Sequence, residues 1–149
     1  MLTRSSKFSI LAGCFLAAFC LLAADKDKDK DSTPVDPKLL PPVSDQQGVT
    51  YAADIQPMFQ KSCYPCHSSK SRKVGGKQRL DSLEGVLKGG EDGKAVVPGD
   101  SAKSDMVVMV SHLGDPDDYM PPPKNRGHIQ PLTKDQIGLI RAWIDQGCK

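Results

Sequence analysis

Cys63-Tyr64-Pro65-Cys66-His67 is the stretch on which the reading of this chain turns. Its two thiols stand three residues apart, close to one helical turn, and an imidazole follows at once. That spacing suits addition of both thiols across the two vinyl groups on adjacent edges of a porphyrin. The imidazole then reaches the iron from the same side. The pentapeptide is therefore read as the attachment signature of a c-type haem. Cys63 and Cys66 would be the thioether anchors and His67 the proximal ligand.

Other chemistries use the same spacing. A thioredoxin-like redox site places its two cysteines at a helix start after a strand. Here the motif follows a helical pattern, and no alternating strand pattern surrounds it. A zinc site would combine Cys63 and Cys66 with two of Cys148, His112 and His128, a second pair without the compact spacing of common zinc modules. A disulfide between Cys63 and Cys66 is the third alternative in an exported protein.

The second axial position points to methionine, because a soft thioether suits ferrous iron and raises the potential relative to a second imidazole. Met106, Met109 and Met120 follow the motif. Met106 and Met109 share an apolar helical face with Val110 and Leu113, which favours core packing. Met120 lies in a loop stiffened by Pro121, Pro122 and Pro123, which lowers the cost of holding its sulfur over the iron. Met120 is the preferred ligand. His112 and His128 are weaker candidates for that position. Tyr51, Tyr119 and Trp143 would line the cofactor or pack helices, with packing preferred for Trp143.

Outward from the motif, helices dominate. One is expected after Asp54 as cap, with Pro57 in its first turn and Ile55, Met58 and Phe59 as its apolar stripe. Pro65 is expected to end regular helix before Cys66. Ser82 to Lys88 and Asp105 to His112, the latter capped by Ser104, read as short helices. Gly114 to Pro131 reads as a long loop. The last helix has capping-box spacing at Thr133 and Gln136, a stripe of Ile137, Ile140 and Ile144, and a stop at Gly147.

The amino-terminal part is organised differently. Phe8 to Ala24 is an uncharged run of 17 residues after Arg4 and Lys7, read as a secretory signal or a short membrane anchor. Leu11-Ala12-Gly13-Cys14 has the look of a lipobox, although the apolar run continues past it. Residues 25–48 alternate Asp with Lys and then carry Pro34, Pro37, Pro41 and Pro42, so they read as an exposed, disordered linker. Residues 49–149 form the one domain. Without the first 24 residues the chain has 18 basic and 18 acidic side chains, a balance that disfavours non-specific nucleic-acid binding. Aromatic residues are 5% of the chain, so a core this lean needs a cofactor, metal or disulfides.

In an ordered set of stretches, the chain resembles monohaem cytochrome c domains, and more narrowly the planctomycete-type cytochrome c domain. These are Asp54-Ile55-Gln56-Pro57-Met58-Phe59, the Cys63 to His67 motif, Leu80-Asp81-Ser82, Leu87 to Gly93, Val96-Val97-Pro98-Gly99, Met120-Pro121-Pro122 and Leu132 to Gly147. The resemblance implies an all-α, cytochrome c-like fold with long loops around one covalently attached haem, its first and last helices crossing nearby. It implies His67 and Met120 as axial ligands, Cys63 and Cys66 as thioether anchors, haem c and iron as cofactors, and electron transfer between redox partners. Such a bacterial domain would be periplasmic, or anchored by its N-terminal segment and facing the periplasm. Read from the residues alone, Lys70, Arg72, Lys73, Lys77 and Arg79 form a basic run without an acid, which is either a solvated loop or a surface that steers an acidic partner to the haem edge. A haem enzyme or gas sensor with an open or labile distal site, and a zinc- or disulfide-stabilised surface module, are the competing functions.

Overall fold

The computed structural model describes residues 35–125 and 127–149. The expected leader with Cys14, and the linker as far as Pro34, lie outside the described residues. Among the described residues the regular structure is helical, with no named strand. The fold is all-α. A π-helical turn at Tyr51–Ile55 leads into α1 (Gln56–Ser62), followed by α2 (Tyr64–His67), α3 (Leu83–Lys88), α4 (Asp105–Val110) and α5 (Lys134–Asp145). None of α1 to α4 exceeds seven residues. Helices this short are not stable alone, so packing must hold them.

The packing centres on α5. Its start is the reciprocal box expected from sequence: Gln136 N–H donates to Thr133 Oγ1 at 3.2 Å, and Thr133 N–H donates to Gln136 Oε1 at 2.8 Å. Ile137, Ile140 and Ile144 face the core, and Trp143 is fully buried. Each such aliphatic side chain contributes about 1.5–3 kcal/mol by leaving water. Tyr51 joins the first helical segment to the last, its ring centroid 6.0 Å from Trp143 and 6.4 Å from Phe59. Trp143 Nε1–H and Tyr51 N–H both donate to the Lys149 carbonyl, at 3.0 and 2.6 Å. Gly147 ends α5 with φ +91°, a left-handed turn that an L side chain would strain.

Four local expectations are corrected. Thr50, not Asp54, caps the first helical segment: Thr50 Oγ1 accepts from Ala53 N–H at 3.3 Å, while the Asp54 carboxylate accepts Thr50 N–H at 2.8 Å. Burial of Tyr51 draws the helical start one turn earlier. Pro65 begins a helix rather than ending one. The break falls at Cys63, and Pro65 occupies the first turn of α2, where its missing N–H costs nothing. Ser104 stands at the cap of α4, but its hydroxyl donates to the Asp100 carbonyl and accepts Val97 N–H instead.

The fourth correction concerns the expected linker. Its described part, residues 35–48, lies against α5. Leu40 is buried in the core, Ser44 N–H donates to the Gly138 carbonyl at 3.0 Å, and Arg141 donates to the Pro41 carbonyl. A Cβ at Gly138 would stand 2.6 Å from the Pro42 carbonyl, so glycine inside α5 is what admits this strap. The prolines pre-extend a segment that packs, rather than keeping it in solvent.

Candidate functional site

α1, α2, α4 and the loops around them enclose a mainly apolar cavity of about 400 Å³. Cys63, Cys66, His67 and Met120 all line it, although the chain between the first and last of them spans 57 positions. Phe59, Leu80, Val110 and Leu132 supply apolar wall. Native interiors are close-packed and keep few voids larger than a water molecule. A cavity of this size belongs to the range of cofactor and ligand sites.

His67 is set by backbone. Its Nδ1 lies 3.1 Å from the Gln78 carbonyl, an acceptor only, so Nδ1 carries a proton and, in the neutral ring, Nε2 keeps its lone pair. The His67 carbonyl in turn accepts Leu80 N–H at 2.7 Å. Gly75 lies against the ring: a Cβ there would stand 3.1 Å from Cε1. Ser69 N–H donates to Asp81 at 2.7 Å, and Arg79 Nε–H donates to the same carboxylate at 3.1 Å. Those contacts, Arg79 first, hold the Asp81 carboxyl well below the usual carboxylate range.

The cysteines differ. Cys66 is exposed and Cys63 partly buried. Burial, with Cys66 beside it as the lesser cause, pushes the Cys63 thiol up to about 12. A thiol that stays protonated is a poor thiolate nucleophile, which counts against the thioredoxin-like reading. Cys63, Cys66 and Cys148 are unpaired, and Cys148 is buried at the end of α5. Among the described residues no group of three or more His, Cys, Asp or Glu side chains suits a metal ion, so the zinc reading finds no support.

Met120 N–H donates to the Met109 carbonyl at 3.0 Å, which ties its loop to α4. Met106 and Met109, expected as core residues, also line the cavity. Both descriptions hold for Met106, because the core face of α4 is also a cavity wall. His112 and His128 do not line this cavity. They line a second one of about 310 Å³ that shares Pro121, Pro122, Asn125 and Ile129 with the first. Tyr51, Tyr119 and Trp143 are likewise absent from its lining. Sequence reasoning missed Gly75 and Gln78. Adjacent glycines by themselves mark no more than a turn, and a backbone acceptor leaves no mark in residue type.

The donor set fits a c-type haem: two thiols one turn apart, an imidazole with Nε2 available, and thioethers on the same apolar cavity. The helical fold and this site are consistent with a cytochrome c-type domain. Residues 63–124 match the family model described as Planctomycete cytochrome C, a stretch that runs from the first motif cysteine past Met120. That match is consistent with a planctomycete-type cytochrome c domain over those residues, a class that implies covalently bound haem c with iron. Among solved structures, Kuenenia stuttgartiensis hydrazine synthase aligns with a TM-score of 0.42 and 23% identity, over 66% of this chain and 16% of that chain. Comparison with curated proteins gives no match.

Proposed function

We propose that the domain is an outer-sphere electron carrier with a single haem c, not an enzyme. Cys63 and Cys66 would hold the haem as thioethers, and His67 Nε2 and Met120 Sδ would be the ligands to its iron. The observation that carries this reading is the meeting of these four side chains on one apolar cavity. When bound, the haem supplies a one-electron ferric–ferrous couple. The chain's residues hold and shield it. The Gln78 carbonyl keeps the proton on His67 Nδ1 and fixes the ring's orientation. Phe59, Leu80, Val110 and Leu132 exclude water. A Met120 thioether favours the ferrous form relative to a second imidazole.

A second reading takes Met106 or Met109 as the sulfur ligand, since both line the same cavity. Met120 is preferred because Met106 already packs in the core, and because a loop can adjust its sulfur without moving a helix.

We place the domain outside the cytoplasm, periplasmic or held at the membrane by residues 1–24. Residues 25–34 would serve as spacer, with the packed domain beginning at about the strap. No helix among the described residues is long and apolar enough to cross a membrane. Its redox partner would be acidic. Lys77 pairs with Glu91 at 3.4 Å and Arg79 with Asp81 at 3.1 Å, while Lys70, Arg72 and Lys73 are exposed in the loop that follows the motif.

The absorption spectrum of the reduced protein tests the reading. A sharp low-spin c-type spectrum indifferent to carbon monoxide is expected. Ready binding of carbon monoxide would contradict the filled axial position and favour a gas-binding or enzymatic site.

A further inference from the structure

Two loop donors converge on one carbonyl at the end of α4. Met109 O accepts His112 N–H at 3.2 Å and Met120 N–H at 3.0 Å. The first of those donors and the residue just before the second then meet face to face. The rings of His112 and Tyr119 are stacked, with centroids 4.8 Å apart and planes 5° from parallel. His112 reaches this position with φ +53°, uncommon for a residue with a side chain. Its Nε2 is buried and makes no hydrogen bond. A buried, unsatisfied ring nitrogen is a cost to the fold. What the ring offers in return is its flat face, and that face lies on the residue immediately before Met120.

We infer that His112 is a positioning residue: its ring clamps Tyr119 and so keeps Met120 directed to the haem cavity. The inference rests on Met120 as the axial thioether. It assigns His112 a role outside iron ligation, in keeping with its absence from the cavity lining. Offset or parallel ring contacts of this kind shift a local equilibrium by roughly two- to tenfold. Loss of the clamp should raise the fraction of molecules in which Met120 is away from its position by that factor.

An external ligand reads that fraction, because its apparent affinity scales with the population able to accept it. The test is titration of the ferric, haem-loaded protein with imidazole. His112→Ala should raise the apparent affinity roughly two- to tenfold, as the clamp is lost. His112→Phe keeps the stack and removes the unsatisfied nitrogen, so it should bind imidazole like the unaltered protein. Met120→Ala should raise the affinity further than either. Should His112→Ala fail to load haem, Tyr119→Ala against Tyr119→Phe gives the same contrast. Unchanged affinity in His112→Ala, or equal gains in His112→Ala and His112→Phe, would overturn the clamp while leaving Met120 as ligand. Unchanged affinity in Met120→Ala would remove Met120 from the iron, and the clamp with it.

Discussion

His67 is fixed by three backbone features: the Gln78 carbonyl on Nδ1, Leu80 N–H on its own carbonyl, and Gly75 against its ring. Around Met120 a single backbone bond to Met109 and the His112–Tyr119 stack do the corresponding work, and Asn125 knits the rest of the loop to itself. The contrast suits the roles proposed for them. A proximal imidazole on a covalently tethered motif is built into the chain's path. A thioether that arrives from 53 residues away depends on a loop and can be loosened by small changes.

Alanine at two glycines should separate the regions most strongly. A Cβ at Gly90 would stand 2.3 Å from the Gly76 carbonyl, which also accepts Glu91 N–H at 2.8 Å. Backbone has to move there, so Gly90→Ala should destabilise by about 1–3 kcal/mol in denaturant unfolding. A Cβ at Gly127 meets the Ile129 side chain at 3.3 Å, which can turn aside, and Asn125 Oδ1 at 3.9 Å, an ordinary contact. Gly127→Ala should stay within about 0.5 kcal/mol. Equal losses at the two positions would erase the distinction between a rigid and an adaptable support.

Acid titration sharpens it next. The Asp81 carboxyl is held below its ordinary value, so its contribution is present above the unfolded-state pKa of about 3.9 and is lost as pH falls through the lower folded-state value. Asp81→Asn should therefore lower stability at neutral pH. The gap from the unaltered protein should narrow below about pH 4 and close only in stronger acid. A gap that is constant with pH would mean that Asp81 acts by shape alone.

The smallest effect is expected at the exposed cations. Replacing Lys70 and Lys73 by Glu should slow electron exchange with an acidic redox protein at low ionic strength, and leave the absorption spectrum as it was. The slowing should fade as salt is raised past about 0.15 M, where the screening length falls to about 8 Å. Equal rates for the two proteins at low salt would remove this face as the docking surface.

Much of this was legible in the sequence because it was local. The thiol and imidazole spacing, the Thr133–Gln136 box and the isoleucine stripe of α5 are fixed within a few residues, and the structure forms the box and buries the stripe. What was misread depends on distant partners. Residues 35–48 are proline-rich and polar, yet Leu40 and the open face at Gly138 make them a packed strap. Gly75 and Gln78 matter through backbone geometry near His67, which residue type does not announce. Met106 and Met109 satisfied the pattern of a core helix, and only the third dimension shows that this core borders a cavity.

The central claim is a haem joined to the chain at Cys63 and Cys66. Intact mass and peptide mapping of the protein purified from its natural host test it most directly. The account predicts a mature chain carrying the mass of one haem, with both cysteines in the modified peptide. A chain in which both thiols are free of porphyrin would contradict it.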